Sequence, residues 1–110
     1  MDNINNRIYE CLKDIGMPFR YRGYQYVCEA LKLLSIDETY IHSLTKRLYP
    51  DIGKMFNAPC SSIERAMRYA IQCTIDNMHT EIFFKYFGTG VKNMTISEFL
   101  CGVHTYLKYN

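Results

Sequence analysis

Between Ser61 and Gln72 the chain concentrates side chains suited to gripping a polyanion and reading its edges: Ser61, Ser62, Glu64, Arg65, Arg68, Tyr69 and Gln72. Positions 62, 65, 69 and 72 are spaced by three, four and three, so on a helix they share one face. The apolar positions Ile63, Ala66, Met67, Ala70 and Thr74 recur on the opposite side. An arginine forks onto guanine O6 and N7, a glutamate accepts from cytosine N4, and hydroxyls bond bases or phosphates. The residues in the first turns of such a helix come nearest to base edges. The expected base or near-base contacts are therefore Ser61, Ser62, Glu64 and Arg65, with Lys46, Arg47, Lys54, Arg68 and Tyr69 on phosphate. Glu64 and Arg68, four apart, also suit a surface ion pair.

Other chemistries find less support. His42, His79 and His104 stand far apart, with no serine, cysteine or carboxylate dyad matched to them, so no enzyme activity is expected. Cysteines fall at 11, 28, 60, 73 and 101, an odd number without a CxxC pair, which suits reduced thiols in the cytoplasm. Cys101 and His104 share a helix face, but there is no second pair at ligand spacing, so no metal or other cofactor is expected. Gly88 and Gly90 follow a helix rather than a strand and do not read as a phosphate loop. The ten tyrosines suit a single-strand stacking surface or, more commonly, half-buried rings with hydroxyls at the rim. Tyr21, Tyr24 and Tyr26 are expected to pack the second helix, and Tyr106 and Tyr109 to line a surface.

Charge supports the polyanion reading modestly. The whole chain carries +2, but residues 42–72 hold five basic residues against two acidic, and the remainder eight against nine. A local basic region is how an electrostatic footprint begins, although a solvated face looks much the same. With 110 residues the chain fits one domain. No apolar run approaches the roughly 20 residues of a membrane span, and Met1–Arg7 has no signal-peptide core. No membrane or small-molecule substrate is expected.

Apolar spacing of three and four throughout predicts an all-α fold. Ile4, Ile8, Cys11, Leu12 and Ile15 form a first stripe ended by Gly16 and Pro18. A second, Tyr24, Val27, Cys28, Leu31 and Leu34, runs to about Leu34. Ser35 with Glu38 has the pattern of a capping box opening a third helix, which should end by Tyr49 because Pro50 disfavours helical geometry in its predecessor. Pro50 suits the first turn of a short helix to about Phe56. Asn57-Ala58-Pro59-Cys60 then makes a break before a longer helix capped by Ser61 and Glu64. A short helix, a turn and a longer capped helix is helix-turn-helix grammar, placed at about 50–77. Ile82, Phe83, Tyr86 and Phe87 form a short aromatic helix stopped at Gly88, and after a loop over Gly88–Met94, Thr95 with Glu98 caps a last helix carrying Phe99, Leu100, Val103 and Leu107.

From Gly16 to Leu107 the chain resembles the C-terminal effector domain of the sporulation stage-zero response regulator A. The resemblance is carried by Gly16-Met17-Pro18, by Arg22-Gly23-Tyr24-Gln25-Tyr26 with Glu29-Ala30, and by Leu48 through Asn57. Ser61-Ser62-Ile63-Glu64-Arg65-Ala66-Met67-Arg68-Tyr69-Ala70-Ile71, Phe87-Gly88 and Ser97-Glu98-Phe99 complete it. It implies a six-helix DNA-binding domain that regulates sporulation genes and binds double-stranded DNA at tandem boxes as a head-to-tail homodimer, with Ser97 to Tyr109 as the candidate dimer contact. Ser61, Glu64, Arg65 and Arg68 match the family's recognition helix. Ser62 stands where an arginine is expected and Tyr69 where a histidine is, so the operator read here differs, or the surface acts on a regulator protein instead. The family's receiver domain does not precede this stretch. The chain reads either as an excised effector or, favoured by Met1 and the well-formed first stripe, as a stand-alone paralogue.

Overall fold

The computed structural model describes residues 3–90 and 93–110, and among them are six α-helices and no strand. The first, α1 (Ile4–Ile15), is capped by Asn3, whose side chain accepts the Asn5 amide at 2.9 Å. It ends where Gly16 turns left-handed at φ 91° and returns its N–H to Leu12. The expected stripe of Ile8, Cys11, Leu12 and Ile15 is buried. Helix α2 (Arg22–Ile36) buries Tyr26, Val27, Cys28, Ala30, Leu31 and Leu34, and it forms its most extensive pairing with α4 (Cys60–Asn77).

The stretch from Ser35 to Tyr49 departs from expectation. Ser35 lies inside α2 and its hydroxyl bonds back to the Lys32 carbonyl at 2.6 Å. Asp37 takes the capping position instead, accepting the Thr39 amide at 3.0 Å. The Glu38 carboxylate, freed from the box, reaches 2.7 Å to His104 and 3.0 Å to Lys108. In place of a third α-helix stand a 3₁₀ turn (Glu38–His42) and a wide π turn (Leu44–Leu48) that runs directly into α3 (Tyr49–Phe56). Tyr49 is helical (φ −63°, ψ −42°) despite preceding Pro50. The wider turn accommodates a ring that lacks an N–H and would crowd the carbonyl four residues back.

Helix α5 (Thr80–Phe87) begins before Ile82, two residues earlier than its aromatic stripe, and stops at Gly88 in the left-handed region. Of the loop expected over Gly88–Met94, positions 91 and 92 lie outside the described residues. Helix α6 (Ile96–Tyr109) opens with the expected capping box: Thr95 accepts the Glu98 amide at 3.1 Å, and Glu98 accepts the Thr95 amide at 2.9 Å.

One cluster of buried side chains draws on all six helices, with Phe83, Phe99, Leu31, Ile63 and Met67 fully buried within it. The periphery is stitched across long sequence separations. Arg7 donates to the Leu107 carbonyl, while Asp14 on α1 accepts from Lys85 at 2.9 Å and from the Tyr86 hydroxyl at 2.7 Å on α5. Those two hydrogen bonds, Lys85 first, hold the Asp14 carboxyl below its ordinary range. Tyr26 is buried as expected, whereas Tyr21 and Tyr24 are half-buried. Tyr109 is exposed, and Tyr106 stacks on Tyr86 at 4.3 Å between ring centres.

Candidate nucleic-acid interface

Helix α3, a three-residue turn and helix α4 make the helix-turn-helix. Its corner depends on backbone geometry. Asn57 is left-handed (φ 52°), a conformation asparagine tolerates better than most residues, and its N–H and that of Ala58 both bond the Gly53 carbonyl. A β-carbon on Gly53 would stand 2.6 Å from the Ala58 carbonyl oxygen, so only glycine allows the turn to fold back this tightly. Pro59 is extended (ψ 151°), and its carbonyl receives the Ser62 and Ile63 amides at 3.0 and 3.1 Å.

The start of α4 differs from the expected cap. The helix starts at Cys60 with Pro59 in the capping position and no side-chain cap. Ser61 is thus already inside the first turn, where its hydroxyl no longer faces the free amides, and Glu64 bonds Arg68 at 2.8 Å instead. The ion pair weighed from the sequence is therefore present. Such a pair is worth only about 0.2–0.5 kcal/mol on an exposed helix, so a competing phosphate can displace it.

The inward face of α4 buries Ile63, Met67, Ala70, Ile71, Thr74 and Ile75, and the Thr74 hydroxyl is satisfied by the Ala70 carbonyl at 2.7 Å. Ser61, Ser62, Arg65, Arg68, Tyr69 and Gln72 are all exposed, as their spacing predicts. Gln72 bonds Asp76 at 2.8 Å. Ion pairs among the described residues engage Lys32, Arg47, Arg68, Lys85, His104 and Lys108, and none engages Arg65, Lys54 or Lys46. All three of these are exposed.

Arg47 is placed differently from its neighbour Lys46. Its guanidinium holds Asp37 at 3.0 Å and the Thr39 hydroxyl at 2.9 Å, and lies 4.2 Å over the Tyr40 ring. The Thr39 and Arg47 hydrogen bonds pull Asp37 down to about 2. Arg47 thus fastens the 3₁₀ turn to the π turn that leads into α3.

Two flanks frame the exposed face of α4. On one lies α3, whose buried Tyr49 feels Glu64 and Arg68 electrostatically. On the other lies the start of α2, so close that a β-carbon on Gly23 would sit 2.1 Å from the Ala66 carbonyl oxygen. Here Tyr21 meets Tyr69 edge-on at 5.5 Å, and the Arg20 guanidinium lies 5.2 Å from the Tyr21 ring centre. A hydrogen bond with Cys73 pushes the Tyr69 hydroxyl up, while Arg20 acts on it in the opposite sense. Sequence periodicity does not bring Arg20 and Tyr21 to α4, because they lie in the connection before α2. The one available signal was small residues at Gly23, Ala66 and Ala70, which permit close helix approach.

The Cys101 and His104 pair does not converge with further ligands. Cys101 is exposed, His104 pairs with Glu38 at 2.7 Å, and no group of three or more histidine, cysteine, aspartate or glutamate side chains that could hold a metal occurs among the described residues.

A family model described as sporulation initiation factor Spo0A C terminal matches residues 8–107. The chain belongs to this family. The match reaches further toward the N-terminus than the Gly16–Leu107 resemblance, taking in most of α1. Membership makes the chain an all-α, DNA-binding transcription-regulator domain of the sporulation type. No helix among the described residues is long and apolar enough to cross a membrane.

Proposed function

We propose that the protein binds double-stranded DNA sequence-specifically, as one helical unit spanning residues 1–110, with α4 seated in the major groove. The observation that carries this reading is Arg65: exposed on the second turn of a helix whose other face is locked in the core, it is held by no carboxylate among the described residues. An arginine so presented is free to fork onto guanine. Ser61, Ser62 and Glu64 share the base-facing end with it. Lys54, Lys46, Tyr69 and Arg68, the last on release from Glu64, contact phosphate. Arg47, committed to Asp37, supports the fold of this end. The protein acts by binding, in the cytoplasm, and two copies pair head to tail on tandem sites through α6.

Selection of bound duplexes from a random pool tests this directly. A recovered consensus, bound with an affinity that falls steeply as salt rises, is the expected result. A pool without enrichment, and no salt-dependent binding at micromolar protein, overturns it. Ser62 favours a second reading, in which a recognition surface lacking one base-reading cation acts on a full-length regulator. In that case the same experiment yields no consensus while a complex with the regulator forms.

A further inference from the structure

We infer that Arg20 and Arg22 clamp the phosphate strand on the α2 side of the groove, opposite the strand held from α3. This rests on the reading of α4 as the groove-inserted helix and adds two contacts which that reading does not assign. A helix lying in the major groove runs between two phosphate ridges, so a stable seat calls for cations on both of its flanks. Lys54 supplies the α3 flank. The Ala66–Tyr69–Cys73 edge of α4 carries no cation of its own.

The structure places Arg20 beside that edge through Tyr21, and Arg22 is the exposed first residue of α2, next to the Gly23 that abuts α4. Gly23, the residue after Arg22, abuts the Ala66 backbone closely enough to exclude any β-carbon, which fixes the start of α2 against α4. Two residues earlier, Tyr21 wedges edge-on against Tyr69, and Arg20 lies over Tyr21. Both arginines are exposed, and neither takes part in an ion pair among the described residues. The contact with Tyr21 matters because a cation resting on an aromatic face keeps its charge and its donors while losing rotational freedom. Tyr21 is thus a positioning residue, and Arg20 and Arg22 are the phosphate ligands. Because they meet the backbone alone, they add affinity without sequence preference.

The test is the dependence of affinity on salt, measured by fluorescence anisotropy with a duplex of random sequence and with the selected duplex. The proteins are the unsubstituted chain, Arg20→Ala/Arg22→Ala and Arg20→Lys/Arg22→Lys. The double alanine variant should lose about two units of the slope of log affinity against log salt, at about 0.9 per phosphate contact. The loss should be equal on both duplexes, the selected consensus unaltered, and the lysine pair should restore the slope. An unchanged slope in the double alanine variant, with the unsubstituted protein binding normally, overturns the clamp alone. A loss confined to the selected duplex overturns it too, since it marks a base contact. Absence of binding by the unsubstituted protein removes the reading of α4, and the clamp with it. An unchanged Tm for both variants keeps a folding effect from imitating the result.

Discussion

Gly23 and Ala66 meet backbone to backbone: a β-carbon on Gly23 would lie 2.1 Å from the Ala66 carbonyl oxygen and 2.9 Å from the Ala70 methyl group. This contact sets the distance between α2 and α4, and the placement of Arg20 and Tyr21 beside Tyr69 depends on it.

Gly23→Ala should therefore push the two helices apart. Neither neighbour is a flexible side-chain end, so the backbone must move, at a cost of about 1–3 kcal/mol. For a domain of this size Tm should drop by at least about 4 °C. Gly90→Ala is the matched control, since a β-carbon there meets nothing within 4 Å. It should leave Tm level or slightly raised. Equal Tm values for the two variants in a thermal melt contradict the close-approach account.

Ser62 is exposed on the first turn of α4, three residues before Arg65, which no ion pair engages among the described residues. Ser62→Arg should supply a guanine-reading fork. The expected result is a new or strengthened guanine in the selected consensus, with discrimination at that pair of about 1–3 kcal/mol. A consensus identical to that of the unsubstituted protein would place Ser62 outside the groove.

Acid should unfold the protein by a traceable route. Asp37 is pulled from its ordinary 3.8 to about 2 by hydrogen bonds from Thr39 and then Arg47, and Asp14 and Glu38 are also lowered. A carboxyl depressed in the folded state contributes stability that is complete above its unfolded value and is lost as pH falls through its folded value. Tm should hold level down to about pH 5 and fall steeply below pH 4. Asp37→Asn should lower Tm at neutral pH and flatten the limb between 3.8 and about 2. A variant that follows the parent's acid limb in parallel shows that the Asp37–Arg47 latch contributes nothing.

Much of the architecture is legible in local pattern. The stripes of α1, α2, α4 and α6 are buried where three-and-four spacing puts them, and the left-handed glycines 16 and 88 stop their helices as expected. Capping shows where pattern fails. Thr95 and Glu98 close a box, whereas Ser35 with Glu38 and Ser61 with Glu64 share the motif and do not. Ser35 stays inside α2 and bonds the Lys32 carbonyl, Asp37 caps the next turn at the Thr39 amide, and His104 and Lys108, 66 and 70 residues away, draw off Glu38. At Ser61 the extended Pro59 starts the helix early. The Arg47–Asp37 pair is not legible in the sequence because it spans two irregular turns, where no period applies. Tyr21 beside Tyr69 is a contact between elements, invisible to any spacing rule.

The central claim, that α4 reads bases through Arg65, is tested most directly by measuring Arg65→Ala against the unsubstituted protein on the selected duplex and on random duplex at one salt concentration. Affinity for the selected duplex should fall by about 5–150-fold, the equivalent of about 1–3 kcal/mol, while random duplex loses far less. Equal affinities of the two proteins on the selected duplex would contradict the account.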